Sequence, residues 1–208
     1  MKAKWDSLMK RSRNILNIQI DPVMADYLYE SNMVPAYSEN RHYHTLNHIK
    51  VLLKAMQDFK LTPKERVKIE WAIWFHDYVY DSKSYNNEWQ SSKAFQEFGV
   101  FVKMPNTKIY EISQLILITK HVDKPTSRLE KIMCDVDLKQ LASDWHAKNA
   151  KNVRKEYEFL SERDWRKGRK EFLESMLAKE YIYHTDEYRG ALEDTARHNL
   201  KEELDTLT

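Results

Sequence analysis

A histidine and an aspartate at the end of an apolar run constrain the fold of this chain more than any other feature. His76 and Asp77 directly follow the run WAIWF at positions 71–75. Burial of two such polar side chains without partners costs several kcal/mol for each of them. A divalent metal ion is a partner that suits an imidazole and a carboxylate together. We therefore expect other segments of the chain to converge on this pair.

The amino-acid composition favours an all-α fold. Only 3 Gly and 5 Pro occur among 208 residues, too few for a turn-rich all-β protein, whereas helix formers such as Leu, Lys, Glu and Ala are plentiful. Alternating strand patterns are absent, and no repeat, low-complexity tract or linker divides the sequence. We predict one all-α domain over residues 1–208, a helical bundle that ends in long C-terminal helices.

Charge and cysteine content exclude several classes of protein. Lys and Arg number 34 against 32 Asp and Glu, so the net charge of +2 gives no footprint for nucleic acid or for an anionic membrane. The single cysteine, Cys134, excludes an intramolecular disulfide framework and a cysteine-rich zinc site. No signal-peptide pattern and no apolar stretch of about 18 residues occurs. We expect a cytoplasmic protein, and the sequence is compatible with a homodimer.

Helix-capping residues and apolar spacing predict where the helices lie. Thr62, with Pro63 after it and Glu65 at the third helical position, is a good start for the helix that leads to the His-Asp pair. Further helices are predicted at about 3–16, 22–32, 45–59, 86–98 and 105–121 and after the caps at 125–127, with a loop at 33–43. Two or three long helices should fill about 143–206, with breaks at Gly168 and at 181–185.

Three separated segments supply candidate metal ligands. They are His48, the pair His76 and Asp77, and Asp137. Imidazole nitrogens and carboxylate oxygens together suit Mn²⁺, Fe²⁺, Co²⁺, Ni²⁺ or Zn²⁺, whereas Mg²⁺ favours an all-oxygen site. Four protein ligands leave coordination positions open for water and for a substrate oxygen. Such an ion lowers the pKa of the water and screens the charge of an attacked phosphate.

This ordered set resembles the signature of the HD-domain superfamily of metal-dependent phosphohydrolases, and the chain looks similar to a subfamily of small bacterial and phage HD phosphohydrolases. The matching segments cover nearly the whole chain: RHYHTLNHI (41–49), FHDYVYD (75–81), NE (87–88) with SS (91–92), TKH (119–121), DVDL (135–138), VRKEY (153–157) and ARHNL (196–200). The resemblance implies an HD-type helical bundle whose four metal ligands are His48, His76, Asp77 and Asp137. In the family pattern the last ligand precedes a Leu, which favours Asp137 over Asp135.

Acidic residues near the pair are candidates for handling the attacking water. Asp81 lies four residues after Asp77, so it shares the same helix face if the helix continues that far. HD-like enzymes commonly place an acidic residue shortly after the His-Asp pair. Glu88 is the second candidate and Asp77 itself the third. The structural alternatives are Asp81 as a helix cap and Glu88 as a first-turn helix charge.

Several further residues are candidates for contacting the substrate. His44 lies four residues before His48 and faces the same centre if the helix starts early enough; otherwise 41–47 is a loop over the site. His121 ends an apolar helix, where an imidazole can contact a phosphate or a second ion, or simply complement the helix C-terminus. Phosphate also needs cations and hydrogen-bond donors, and the matching segments offer Arg41, Lys120, Arg154 and Tyr157.

The leading functional hypothesis is a metal-dependent hydrolase of a phosphate ester or phosphoanhydride. Its substrate would be a small phosphorylated molecule, foremost a nucleotide, attacked by a water that the metal activates. Two alternatives remain open. A di-iron oxygenase of HD-type fold needs additional ligands, for which the candidates are His44, Glu88, His121 and Asp135. A non-catalytic nucleotide sensor would bind its ligand without turning it over.

Overall fold

Ten α-helices of at least seven residues follow one another along residues 1–207, the part of the chain that the computed structural model describes, and this part contains no strand. The helices are α1 (Lys2–Leu16), α2 (Pro22–Leu28), α3 (Leu46–Ala55), α4 (Pro63–Phe75), α5 (Asn87–Phe101), α6 (Asn106–Leu117), α7 (Arg128–Leu138), α8 (His146–Glu156), α9 (Glu162–Leu177) and α10 (Asp186–Leu207). One continuous apolar core includes residues of all these helices except α8. The predicted all-α, single-domain fold is confirmed.

Helix α4 lies at the centre of the bundle. Its residues 71–75 are all buried, and it packs against α1, α3, α5, α6 and α7. A helical segment that is apolar on every face, like this second half of α4, is stable in water only when other helices surround it. Trp5 of α1 packs edge-to-face on Trp71 and Trp74, with ring centroids 5.7 and 5.3 Å apart. The sequence that ends in the His-Asp pair is therefore held rigidly in the middle of the molecule.

Both helices that carry candidate ligands from the middle of the chain begin with a capping box, as the sequence predicts. In α4 the Thr62 hydroxyl accepts from the Glu65 N–H and the Glu65 carboxylate accepts from the Thr62 N–H. In α7 the residues Ser127 and Glu130 make the same reciprocal pair. Each box satisfies backbone donors that would otherwise lack partners at the helix start. Local sequence thus fixes where these two helices begin.

Several predicted boundaries differ from the structure. Gly168 lies inside α9 and does not break it, because a glycine in a helix interior costs only about 1 kcal/mol and the rest of the segment favours helix. The break falls instead before Ser161, which caps α9 by accepting from the Asp164 N–H. The predicted loop at 33–43 begins with helical turns, since Tyr29–Met33 form a π-helical turn and Val34–Ala36 continue it.

Short 3₁₀ turns extend three of the helices. They are Met56–Asp58 after α3, Ile118–Lys120 after α6 and Lys139–Ala142 after α7. His121 follows the second turn with a left-handed backbone, φ 57°. Within residues 1–207 no helix combines the length and the apolar character that crossing a bilayer requires.

Candidate metal centre

Three helices bring one ligand atom each to a common point. His48 lies in the first turn of α3, His76 directly follows α4, and Asp137 lies one residue before the end of α7. The Nε2 atoms of the two histidines are 3.3 Å apart, and each lies 3.4 Å from Asp137 Oδ1. All three ligand atoms fall within 4.8 Å of one another. This group can hold a metal ion.

The spacing of these atoms matches the coordination sphere of a transition ion. Ligand distances of about 2.0–2.2 Å place neighbouring ligands of a tetrahedral ion about 3.3–3.6 Å apart. The three observed separations lie in that range. Without an ion the two imidazole nitrogens can share at most one proton between them, whereas a cation in its place binds both lone pairs. The donor set therefore fits a divalent ion.

Asp77, the fourth predicted ligand, lies beside this group of three. Its Oδ2 lies 2.9 Å from His76 Nε2 and 3.7 Å from His48 Nε2. The histidine side chains are almost fully buried, while those of Asp77 and Asp137 are each 16 % exposed. The structure thus brings all four predicted ligands together, with the carboxylates on the accessible side of the cluster. A ligand that enters from solvent meets the carboxylates first.

Hydrogen bonds on the far side of the ligands orient them. His76 Nδ1 donates to the Ile73 carbonyl at 2.9 Å, which leaves the lone pair of Nε2 free for an ion. His121 Nε2 donates to Asp137 Oδ2 at 2.9 Å, so Oδ1 remains free toward the two histidines. His48 Nδ1 is buried and has no hydrogen-bond partner among residues 1–207. Two of the ligands are therefore oriented before any ion binds.

The pKa values of the ligands respond to their crowding. Burial lowers the pKa of His48 and also acts to lower that of His76, but Asp77 and Asp137 raise the His76 pKa well above its usual value. Burial acts to raise the pKa of both carboxyls. For Asp137 the hydrogen bonds from His121, His48 and His76 outweigh burial, so its pKa falls below the usual range. The pKa of Asp77 also falls, because the positive charge of the nearby histidines outweighs burial. Ionised carboxylates are the form that a cation needs.

A buried carboxylate on α8 holds the loop that precedes α3. Glu156 Oε1 accepts from the backbone N–H groups of residues 42, 43 and 44, at 2.6–3.0 Å. Its Oε2 accepts from His44 Nδ1 at 2.6 Å. Burial acts to raise the pKa of Glu156, but these hydrogen bonds and the charge of His44 lower it to about 2. Sequence inspection missed Glu156, because its partners lie more than a hundred positions away.

His44 lies in this loop and not on the helix of His48. Helix α3 begins only at Leu46, after Thr45 caps it by accepting from the Asn47 N–H. The His44 ring nevertheless reaches the site, 5.8 Å from the His48 ring and 4.3 Å from that of Tyr80, measured between centroids. Burial acts to lower its pKa, but Asp77 and Glu156 raise it. Of the two alternatives for residues 41–47, the structure therefore has the loop over the site.

Arg41 supports the backbone of the site. Its guanidinium donates to the carbonyls of His44, Asp77 and Tyr78 at 2.6–3.2 Å. It also lies 4.9 Å from the Tyr37 ring. With its donors engaged in this way, it ties the His44 loop to the segment that follows α4. Three of its five N–H donors are used in this way, and a role of Arg41 in substrate binding stays a prediction.

Asp81 is corrected by the structure. Helix α4 ends at Phe75, and His76 is already its C-cap, so the helical register that would align Asp81 with Asp77 does not exist. Asp81 is exposed and lies outside the cavity that the cluster opens into. Its Oδ1 accepts from the Lys83 N–H at 2.9 Å, which makes it a turn-stabilising residue.

A cavity of about 600 Å³ opens above the cluster. Five predicted site residues line it together with the four ligands: His44, Glu88, Lys120, His121 and Tyr157. Arg154 does not. Its guanidinium donates to the carbonyls of Tyr157 and Leu160 and lies 5.4 Å from the Trp165 ring, so it stabilises the turn between α8 and α9. A role of Arg154 in phosphate binding therefore stays a prediction that the cavity does not support.

Asp135 is fully committed elsewhere. Its carboxylate accepts from the backbone N–H groups of His184 and Thr185 and from the Thr185 hydroxyl, at 2.5–2.8 Å. It is buried and does not line the cavity. The choice of Asp137 over Asp135 as the ligand therefore agrees with the geometry. It also removes Asp135 from the ligands available to a second ion.

Two cavity residues were missed by sequence inspection. Arg169 of α9 and His146 of α8 line the wall, and both contact the Glu203 carboxylate of α10. In a helical segment rich in Lys and Glu, the local sequence does not distinguish a cavity-lining arginine from an arginine exposed to solvent. Only the packing of α10 against α9 identifies it.

Comparisons of the chain with protein-family models, with curated proteins and with solved structures give no match. Interpretation of the centre therefore depends on its own geometry. Two histidines and two carboxylates on the floor of an open cavity provide nitrogen and oxygen ligands on one side and room for a small molecule on the other. This arrangement suits Lewis-acid chemistry on a small substrate.

Proposed function

We propose that this protein is a divalent-metal-dependent hydrolase of phosphate esters or phosphoanhydrides, of the HD type. The observation that carries the proposal is the trio His48, His76 and Asp137, whose ligand atoms are 3.3–3.4 Å apart at the floor of a cavity of about 600 Å³. The ordered motifs of the sequence and the donor set agree. The ion would be Mn²⁺, Fe²⁺, Co²⁺, Ni²⁺ or Zn²⁺, held by these three residues and Asp77.

The reaction consumes one water. A bond forms between the water oxygen and phosphorus, the ester P–O bond breaks, and the leaving oxygen departs with a proton. A bound divalent ion lowers the pKa of water and stabilises the charge that develops on the phosphoryl oxygens. The chain itself contributes the orientation of the groups that surround the phosphate.

We assign the proton transfers to two residues that line the cavity. Glu88 lines the cavity from the first turn of α5 and is the carboxylate assigned to accept a proton from the attacking water. His44 holds Glu156 through Nδ1, which leaves Nε2 as the nitrogen that can donate to the leaving oxygen. Lys120 forms no ion pair within residues 1–207 and is the free cation for a phosphate oxygen.

The substrate is a small phosphorylated molecule, foremost a nucleotide. A cavity of about 600 Å³ lies in the range of about 300–1,000 Å³ that is usual for small-molecule sites. Its wall includes the rings of Tyr157, Trp165 and Phe172, on which a flat group can stack. A macromolecular substrate would need a longer groove.

The decisive experiment measures metal binding and turnover on the same samples. Full-length protein is freed of metal with a chelator and loaded with Mn²⁺, Fe²⁺, Co²⁺, Ni²⁺ or Zn²⁺. Phosphate and pyrophosphate release is then followed over a panel of nucleotides and phosphorylated metabolites. We expect an ion to raise the melting temperature and to switch on hydrolysis of at least one compound. D77A should lose turnover, whereas D194A, an exposed aspartate on α10, should retain it.

Three other outcomes would contradict the proposal. If none of the ions raised the melting temperature, the proposed metal site would be contradicted. Ligand-induced stabilisation without product would support the nucleotide sensor instead. Two iron ions per chain together with O₂ uptake would support the di-iron oxygenase.

A further inference from the structure

A buried carboxylate fixes an arginine and a histidine on the cavity wall formed by α8 and α9. Arg169 donates through Nε and Nη2 to the two oxygens of Glu203, at 2.7 and 2.9 Å. His146 Nε2 donates to Glu203 Oε2 at 2.7 Å. The side chains of all three are at most 12 % exposed. A fork-shaped ion pair of this kind has a fixed geometry, because both partners are planar and two parallel hydrogen bonds join them.

The remaining edge of Arg169 is available to a ligand. Its Nη1 makes no hydrogen bond within residues 1–207, and this atom is not fully buried. Arg169 lines the same cavity as the metal-binding cluster, and its charge is felt at Tyr43, whose ring lies 5.0 Å from that of His48. The donor therefore lies on the wall of the chamber in which a substrate would bind.

The chemistry of this wall indicates what it binds. The charge of Arg169 is already balanced by Glu203, so the edge offers a hydrogen-bond donor with little net charge. Tyr157 and Trp165, with ring centroids 5.5 Å apart, and Phe172 provide flat apolar surface beside it. Aromatic faces with one fixed donor suit an uncharged ring that carries a carbonyl or a ring nitrogen.

The charges of the cavity limit the number of phosphates. Beyond the cluster the wall carries the free cation Lys120 against the carboxylates Glu88 and Asp164. A triphosphate chain needs several cations or a second metal ion to offset its charge. One lysine among acidic side chains, beside a single ion, is enough for one phosphate group. The volume would admit more, so charge sets the limit.

We infer that Arg169, held by Glu203 and His146, forms a leaving-group subsite for an uncharged aromatic ring, and that the cavity takes a nucleoside monophosphate and rejects nucleoside triphosphates. Arg169 contacts the ring, while Glu203 and His146 are positioning residues. That the ligand carries a phosphate in addition to the ring rests on the proposed function. The ring subsite does not.

The subsite is tested without metal and without turnover. Metal-free, full-length protein is titrated with adenosine, guanosine, cytidine and uridine in a calorimeter. We expect at least one nucleoside to bind, and R169A to weaken that binding about tenfold, because the fixed hydrogen-bond donor of the subsite is lost. E203Q should weaken it less, since the arginine remains but is no longer fixed. R163A, an exposed arginine of the same helix that does not line the cavity, is the matched control.

A second pair of variants guards against loss of folding in R169A. Gly168 lines the cavity, and a Cβ added there would meet no atom within 4 Å. G168A should therefore fold and bind the nucleoside, whereas G168W should fold and block it. Nucleoside binding to G168W or to R169A with wild-type affinity would overturn the inference, as would the absence of binding by all four nucleosides.

Hydrolysis by the wild-type protein separates this inference from the proposed function. The manganese-loaded protein is offered a nucleoside monophosphate, its triphosphate and glycerol phosphate. We expect kcat/KM to be highest for the monophosphate, and R169A to raise its KM more than that of glycerol phosphate. Arg169-dependent nucleoside binding without any hydrolysis would keep the subsite and sink the proposed function. Equal hydrolysis of glycerol phosphate and the monophosphate, with no nucleoside binding, would do the reverse.

Discussion

Asp135 and Asp137 lie two residues apart on α7 and have unrelated partners. Asp137 reaches His48 and His76 at the cluster, while Asp135 holds the backbone of residues 184 and 185. A separation of two residues rotates a side chain by about 200° around a helix, which explains why neighbours in sequence serve opposite sides. One carboxylate faces the cavity and the other the junction before α10.

This contrast predicts separate losses for two conservative variants. D137N should abolish most of the stabilisation by Mn²⁺, because an amide is a weak metal ligand. D135N should lower the free energy of unfolding by about 1–3 kcal/mol, since the loop loses a charged acceptor, and should keep the metal-induced stabilisation. Urea unfolding with and without Mn²⁺ measures both effects. Loss of the manganese effect in D135N and its retention in D137N would show that the ligand is misassigned.

Sequence reasoning succeeded where a residue's role follows from its order along the chain. The four candidate ligands His48, His76, Asp77 and Asp137 were named from the ordered motif, and the structure brings their side chains close together. Glu156 could not be found in this way. It holds backbone groups 112 to 114 positions away, a contact that only the tertiary packing of α8 creates.

At the scale of elements, the end of α4 determines the site. The helix stops at Phe75, and the chain turns immediately after the pair. Arg41 donates to the carbonyls of Asp77 and Tyr78, which would otherwise lack the N–H donors of a further helical turn. Carbonyls near a helix C-terminus need such donors, and a positive charge there is favourable. The same guanidinium binds the His44 carbonyl, so the end of α4 and the loop before α3 form one unit.

Replacement of Arg41 should therefore disturb two elements at once. R41K keeps the charge but cannot bind three carbonyls in a fork, so we expect a loss of about 1–2 kcal/mol in the free energy of unfolding. The affinity for Mn²⁺ should also fall, because Asp77 is less well fixed. Chemical denaturation and metal titration give the two numbers, with R163K as the control on an exposed position. An unchanged metal affinity in R41K would show that Arg41 supports stability alone.

The sequence predicts the starts of these helices better than their ends. Helix starts carry local signals, and Thr62 and Ser127 were recognisable as caps. The stop at Phe75 has no Gly or Pro beside it. Arg41, more than thirty residues upstream, binds a carbonyl just beyond the stop, and no local signal in the sequence shows whether the helix continues to Asp81 or ends before it.

At the scale of the whole molecule, two buried carboxylates tie the C-terminal helices to the rest. Glu156 of α8 holds the loop before α3, and Glu203 of α10 binds His146 of α8 and Arg169 of α9. Helices α8 to α10 are rich in exposed charge and bury few apolar side chains of their own. These ion pairs therefore specify how the helices close the cavity, a role that amphipathic periodicity alone does not reveal.

Such carboxylates make stability depend on pH in a defined direction. Burial acts to raise the pKa of Glu203, but the hydrogen bonds from His146 and Arg169 lower it to about 2, against 4.5 for a free glutamate. The unfolded chain therefore takes up the proton first as the pH falls. The contribution of Glu203 to stability is complete above about pH 4.5 and is lost between about pH 4.5 and 2.

Urea unfolding at about pH 6 and about pH 3 should show this loss. Glu203 alone accounts for about 2 kcal/mol of the decrease in the free energy of unfolding between the two conditions. E203Q should be less stable than the wild type at the higher pH, and this difference should shrink by about that amount at the lower pH, where Glu203 is protonated in the unfolded chain. E187Q, an exposed position on the same helix, should follow the wild type at both. A gap between E203Q and wild type that stays constant across this range would mean that the Glu203 carboxylate is not held by Arg169 and His146 in solution, and that the wall of the cavity is arranged differently.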